Sequence, residues 1–346
     1  MAYFFKLPPI TDLTIGQQAA LNEPNAIAIS GGPGTGKSVV SLWRHIRNYG
    51  TGSRRSLLLT YTKTLETYLA ASAKSENGDA GNAVDRTYDW TSNRLSFYEE
   101  IIIDEAQDVE KERYEMIKKY SNNISYGADD KQIVYQNKST LESDLKKIFP
   151  SNHDHKLDEN FRNSYEIMHF VQSLFPQKLI PAQTLNKLLV DNKRGNKPVI
   201  LVTNRNSSKQ TKAILDIINQ FRSDTHNIAI LVPLRKHVNI FYQGLINAGV
   251  KCSKYESDDD EISTIENVHV TTFKSSKGTE FDTVIIPDFQ NYEWNVANLT
   301  LAPITENDYY VGITRAKRNL YLICAEMRSF LERSAQQKLT YSKEIL

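Results

Sequence analysis

The eight residues Gly31-Gly32-Pro33-Gly34-Thr35-Gly36-Lys37-Ser38 constrain this chain more than any other stretch. They follow a short apolar run, Ala26 to Ser30, and lead into Val39-Val40-Ser41-Leu42-Trp43, which reads as helix. Strand, glycine loop and helix in that order satisfy the pattern G-x-x-x-x-G-K-[ST] in the setting it requires. Glycines let the backbone wrap an anion, so that N–H groups and the helix N-terminus face it together. Lys37 is placed to hold β- and γ-phosphates, and Ser38 to set its hydroxyl on Mg²⁺. The residue types therefore point to ATP and Mg²⁺ as cofactors, with Gly31 through Ser38 as the cradle.

A phosphate cradle needs an acidic counterpart, and Ile101-Ile102-Ile103-Asp104-Glu105-Ala106-Gln107-Asp108 supplies one. An unbroken apolar run is the signature of a strand covered on both faces. Carboxylates at its end fall on the edge where ligands sit in parallel sheets. Asp104 is positioned to bind the metal and Glu105 to polarise the attacking water. Alone, such a pair also reads as a helix cap; beside the glycine loop the catalytic reading is stronger.

Further apolar runs, separated by segments of helical length, complete the outline. Ala26 to Ser30, Ser56 to Thr60, Ile101 to Asp104 and Ile124 to Ala128 form a first set of strands. Val199 to Val202, Ile228 to Val232, Val268 to Phe273, Val284 to Pro287 and Leu320 to Cys324 form a second. Strands alternating with helices predict an α/β fold with parallel sheets. The polar break Pro150 to Asp154 separates the sets, giving expected domains of 1–154 and 155–346. A chain of 346 residues with 40% hydrophobic and 24% charged content has the composition of two ordinary globular domains.

Composition also excludes several classes. Lys and Arg number 42 against 41 Asp and Glu, so no overall basic field announces a nucleic-acid partner and any such binding must be local. Cys252 and Cys324 stand far apart in strand-like stretches, as buried free thiols of a reducing compartment do. The chain shows neither a signal-peptide pattern at its start nor about 18 consecutive apolar residues, which predicts a cytoplasmic protein with no membrane partner. The acidic run Glu256 to Glu261 reads as a solvated loop.

Beyond the glycine loop and Asp104-Glu105, the remaining motifs resemble, in order, those of the UvrD/Rep-type superfamily 1 DNA helicases. Leu13 to Leu21 is similar to the family's Q motif, which implies that Gln17 meets the adenine edge. Tyr126 to Tyr135 resembles motif III, with Gln132 as γ-phosphate sensor. Leu157-Asp158-Glu159-Asn160-Phe161-Arg162 looks like the N-[FY]-R motif, in which Phe161 stacks on the base and Arg162 reaches the γ-phosphate. Thr271 to Phe281 resembles motif V, with Glu280 on the ribose. Tyr310 to Lys317 is similar to motif VI, which makes Arg315 the arginine finger and fits the 3′-to-5′ branch. The resemblance implies two tandem RecA-like domains with ATP in the cleft between them.

The same resemblance implies a single-stranded nucleic-acid partner, DNA by analogy. Thr60-Tyr61-Thr62-Lys63 is similar to motif Ia, and Thr87-Tyr88-Asp89-Trp90 sits at the next strand-contacting loop. Tyr61, Thr62, Thr87 and Trp90 are thus the expected contacts, since aromatic platforms among phosphate donors grip single strands; Tyr61 and Trp90 also fit ordinary packing. Departures from the family cluster away from the phosphates. Gln136-Asn137 replaces Arg-Trp, Val39 replaces Arg, Lys274 replaces His, and intervals of about 40 and about 105 residues leave no room for the family's inserted domains. Two functions stay open: a minimal translocase or helicase, and a nucleotide-gated ATPase that regulates a protein partner such as a nuclease in a repair or phage-defence complex.

Overall fold

The computed structural model describes residues 7–50, 54–133, 138–255, 265–289 and 304–346. Gln136, Asn137 and the acidic run Glu256 to Glu261 lie outside these residues. The chain divides into two units, one spanning Phe5–Phe161 and the other Arg162–Leu346.

In the first unit six strands form one sheet: β1 (Ile27–Gly31), β2 (Ser56–Thr60), β3 (Val84–Arg86), β4 (Glu100–Ile103), β5 (Ile124–Ala128) and β6 (His153–Leu157), in the order β3-β2-β4-β5-β1-β6. Every pairing is parallel, with Ala28 opposite Tyr126 and Ile101 opposite Ile124. Alternate residues feed opposite layers, as the two-residue period of a strand requires. Ala28 joins Trp90, Tyr114 and Phe149 on one face. Its neighbours Ile27 and Ile29 join Leu21, Val40 and Leu157 on the other. With both faces buried, no polar alternation survives in β2 and β4, and their sequences read as uniform apolar runs.

The second unit has seven strands, again all parallel: β7 (Val199–Val202), β8 (Ile228–Val232), β9 (Ser253–Tyr255), β10 (Val268–Thr272), β11 (Phe281–Ile286), β12 (Ala316–Cys324) and β13 (Ser342–Ile345), in the order β13-β7-β12-β11-β8-β10-β9. Val284 and Ile286 point into one layer and Ile285 into the other. Both cysteines are free and buried, and burial pushes the Cys252 thiol up to about 11 and that of Cys324 up to about 12. They are inert packing groups.

The expected division at residue 154 is displaced. Strand β6 begins at His153 and pairs with β1 over five residues, from Ile27 opposite His153 to Gly31 opposite Leu157, so the first unit continues to Phe161. Within the polar break, Pro150, Ser151 and Asn152 form the turn, and His153 and Asp154 already belong to the edge strand. Among the described residues no helix is long and apolar enough to cross a membrane.

Candidate functional site

Because all strands of the first sheet run the same way, their carboxyl ends share one edge, and every motif of that unit is delivered there. The glycine loop follows β1, Asp104-Glu105 follows β4, Asp129 to Gln132 follows β5, and Asn160-Phe161 follows β6.

The loop's glycines are needed where it turns. Gly31 and Gly36 have φ of 155° and 84°, a region that side chains disfavour. A Cβ on Gly36 would lie 2.3 Å from Gln17 Nε2, and one on Gly31 would lie 2.4 Å from the Leu157 carbonyl. Gln17 approaches so closely because it braces the loop. Its Nε2 donates to the Thr35 carbonyl at 3.0 Å, and its Oε1 accepts from the Thr14 N–H in a capping box that starts the helix Ile15–Asn22. Thr35 closes the loop on itself through its hydroxyl, 2.9 Å from the Gly32 carbonyl.

Lys37 opens the helix Lys37–Tyr49, and its buried ammonium lies 2.7 Å from the Gly31 carbonyl, 3.1 Å from that of Gly32 and 3.9 Å from Asp129 Oδ2. The cation is held over the hollow of the loop by neutral carbonyls and one carboxylate. Phe161, half-exposed, is tied to the same loop by its N–H on the Gly34 carbonyl at 2.7 Å.

Across the edge, Asp104 is buried, and its Oδ2 has no hydrogen-bond partner among the described residues. Burial, then the Glu105 charge, raises its carboxyl above the ordinary range, against a hydrogen bond from Ser38 and the charge of Lys37. An unsatisfied buried carboxylate oxygen beside a serine hydroxyl is a hard-oxygen donor pair of the kind Mg²⁺ takes, with phosphate and water completing its shell. Ser38 and Asp104 therefore fit the metal expected of them. Glu105 has φ 56°, ψ 43°, a conformation a residue with a long side chain rarely holds, at a cost of about 1–3 kcal/mol. The strained turn stands at the end of β4.

Two residues at this edge carry no role in the sequence reading and are central in the structure. Gln107, fully buried, donates through Nε2 to Glu105 Oε2 at 2.6 Å and accepts the Asp129 N–H on Oε1 at 3.1 Å. Asp129 in turn accepts Gln132 Nε2 at 2.6 Å. The signal for Gln107 was present in the Asp104 to Asp108 run, as a buried amide inside an acidic motif.

In the second unit, Arg162 pairs through Nε with Glu280 Oε2 at 3.0 Å, and Lys317 lies 3.6 Å from the same carboxyl group. Burial acts to raise Glu280, but the charges of Arg162 and Lys317 outweigh it and hold the carboxyl below its usual value. Arg315 is fully buried, its Nε on the Val311 carbonyl at 3.0 Å and Nη1 on the Thr279 carbonyl at 3.3 Å. Asn163 ties this region together by donating to the Thr314 and Ala316 carbonyls. The structure thus brings Arg162, Glu280 and Arg315 into one polar cluster.

The expected strand contacts fare differently. Trp90 is 1% exposed, packed edge-on against Tyr120 at 5.7 Å, and belongs to the core; it presents no face to a base, which corrects the expectation. Thr87 is buried with its hydroxyl on the Thr60 carbonyl. Thr62 caps the helix Lys63–Glu76 by accepting the Leu65 N–H. Tyr61 is half-buried against the core. The exposed ring here is Tyr88, at 56%, in the first turn of the helix Thr87–Asn93, with the Arg113 guanidinium 4.5 Å over its centroid.

Comparison with known proteins agrees with this layout. The family "UvrD-like helicase C-terminal domain" matches residues 253–327. A protein of Acanthamoeba polyphaga mimivirus described as a "Putative ATP-dependent DNA helicase" is 27% identical over 259 residues, 68% of this chain and 36% of its own length. The ATP-dependent DNA helicase Rep of Buchnera aphidicola is 23% identical over 255 residues, 69% of this chain and 38% of its own. The chain spans little more than a third of the length of these relatives. Among solved structures, S. cerevisiae Dbp5 bound to RNA and ADP BeF3 superposes with a TM-score of 0.59 at 14% identity, covering 96% of this chain and 90% of that one, which establishes a shared fold. Glycine loop, acidic strand end, the match over residues 253–327 and these two relatives together make the chain similar to the UvrD/Rep-type helicases, on a fold of two parallel α/β units.

Proposed function

We propose that the chain is an ATP-hydrolysing, nucleic-acid-stimulated motor of the helicase type that moves along single-stranded DNA, in the 3′-to-5′ sense that its motif VI resembles. The observation that carries this reading is the meeting of Lys37, Ser38, Asp104 and Glu105 on one sheet edge, with a buried Asp104 oxygen left for a cation. Phosphoryl transfer asks the protein for positioning and charge stabilisation rather than covalent chemistry. Lys37 binds the phosphates, Ser38 and Asp104 would hold Mg²⁺, and Glu105 orients the attacking water. Bound there, the metal would neutralise charge on the phosphate oxygens. Arg162 and Arg315 are the cations assigned to the transferring phosphoryl group, and Phe161 and Gln17 the groups assigned to the base.

A second reading is favoured by one specific observation. Between β2 and β4 the described chain holds β3 and the helices Lys63–Glu76, Gly78–Asn82 and Thr87–Asn93, with no further sheet of its own to hold a duplex. In that reading ATP turnover gates a protein partner, such as a nuclease in a repair or phage-defence complex, with little unwinding. The discriminating experiment measures ATP turnover with oligo-dT of increasing length. A rate that rises with length and then saturates supports translocation; stimulation independent of length supports the gated reading. A chain that hydrolyses ATP no faster with any strand than without one refutes the motor, and a chain that does not turn over ATP refutes both.

A further inference from the structure

We propose that Gln107 is a positioning residue that aims the Glu105 carboxylate and makes its direction follow the turn Asp129 to Gln132. The inference rests on the ATPase reading above and adds to it a residue to which that reading gives no role. Gln107 sits just past the end of β4, two residues after Glu105, and is fully buried. A buried primary amide costs free energy unless both its ends are paired, and each end of Gln107 is spent on a separate piece of the site. Nε2 reaches Glu105 Oε2 at 2.6 Å, a short charge-assisted bond. Oε1 takes the Asp129 N–H at 3.1 Å.

The Gln107 backbone is fixed as well, since its carbonyl accepts the Thr140 N–H at 3.0 Å. With Oε2 held, the terminal torsion of Glu105 is set, and the direction of its other oxygen with it. This matters because the glutamate backbone, with φ 56°, sits in a conformation that does not by itself orient the side chain. Asp129 carries the other half of the connection: its Oδ2 accepts Gln132 Nε2 at 2.6 Å and lies 3.9 Å from the Lys37 ammonium. A shift of Lys37 or Gln132 toward a phosphate displaces the Asp129 turn, and the amide of Gln107 passes that displacement to Glu105. Both polar ends of the Gln107 side chain are spent on Glu105 and Asp129, so it acts through Glu105.

The test uses the full chain with saturating single-stranded DNA and compares Gln107→Leu, which removes both bonds at similar volume, with Gln107→Glu, which keeps the acceptor for Asp129 and loses the donor to Glu105. Each is expected to lower kcat by about 10- to 100-fold, the loss a misplacement of about 1 Å produces, while KM for ATP and affinity for a fluorescent ADP analogue stay within about twofold. Combined with Glu105→Gln and read by single-turnover hydrolysis, either substitution should cost nothing further, because its effect passes through the carboxylate already removed. Should Gln107→Leu fail to fold, Gln107→Glu carries the test through its nearly unchanged shape. Turnover within twofold of the parent for both variants, or losses that multiply with that of Glu105→Gln, would overturn the proposal. A parent chain without ATP turnover would instead refute the underlying ATPase reading.

Discussion

Two stretches of the same sheet edge, the phosphate side after β1, β4 and β5 and the strand-contact side after β2 and β3, behave in opposite ways. On the phosphate side the expected residues stand together at the strand ends: Lys37 over the loop, Asp104 with an unsatisfied oxygen, Glu105 on a strained turn, Gln132 bonded to Asp129. On the other side, Thr62, Thr87 and Trp90 serve the fold as helix cap, loop tie and core. Phosphate and metal impose a residue type at a fixed backbone position, since the backbone itself is part of the ligand. A stacking platform needs only an exposed ring near a phosphate donor, and tyrosine or tryptophan meets that need or fills a core with the same letters.

The largest expected effect lies on the phosphate side. Glu105→Gln should lower turnover by about 10²- to 10⁴-fold, the range of a general-base contribution, while ATP affinity is retained and Lys37→Ala loses it. Nucleotide binding by fluorescence beside steady-state turnover separates the two, and a Glu105→Gln variant turning over at the parent rate breaks the assignment of that side.

A smaller effect sharpens the contrast on the other side. Trp90→Ala removes a fully buried indole and should cost about 3–5 kcal/mol of stability, whereas Tyr88→Ala should change stability by less than about 1 kcal/mol, the scale of an exposed cation–π contact. In strand binding the order reverses: Tyr88→Ala is expected to weaken oligo-dT affinity by about 1–3 kcal/mol. Equal denaturation midpoints for the two variants would show that the core assignment of Trp90 is mistaken.

The smallest effect concerns Glu66, on the helix that Thr62 caps. Burial first, then the charges of Asp85 and Asp89, pushes its carboxyl up to about 7, against Arg86 and Arg94. With its folded value above the unfolded one, the folded state holds the extra proton between about pH 4.5 and 7, so this group's contribution to stability falls as pH rises through that window. Glu66→Gln should therefore raise stability at pH 8 by about 1–2 kcal/mol after allowance for solvent screening, and leave it unchanged near pH 4.5. Melting curves at the two pH values check it, and an equal gain at both would show that the carboxyl titrates as an ordinary one.

What was legible in the sequence follows from which strands are covered. β1, β2, β4, β5, β7, β8, β10, β11 and β12 are interior to their sheets, and their apolar runs identify them. The strands that escaped notice, β3, β6, β9 and β13, are the four rims. His153-Asp154-His155-Lys156-Leu157 buries only its last residue, and Ser342-Lys343-Glu344-Ile345 buries none. No apolar signal exists there to read, because a rim strand is held by backbone pairing to one neighbour rather than by two layers of side chains. The domain boundary moved for the same reason. Gln107 and Asp129 were missed because the hydrogen bond that joins them spans 22 positions of the chain and leaves no local pattern.

Those polar rims have a consequence for how copies of this chain meet. An unpaired strand edge is a template on which another strand can grow. Here each rim carries charge along its length, with Asp85 and Arg86 on β3, Asp154 and Lys156 on β6, Lys254 on β9, and Lys343 and Glu344 on β13. Extending either sheet by a further strand would bring those charges against a neighbour and strip their water, so such extension is disfavoured, and crowding during synthesis should leave the chain in solution rather than in fibres.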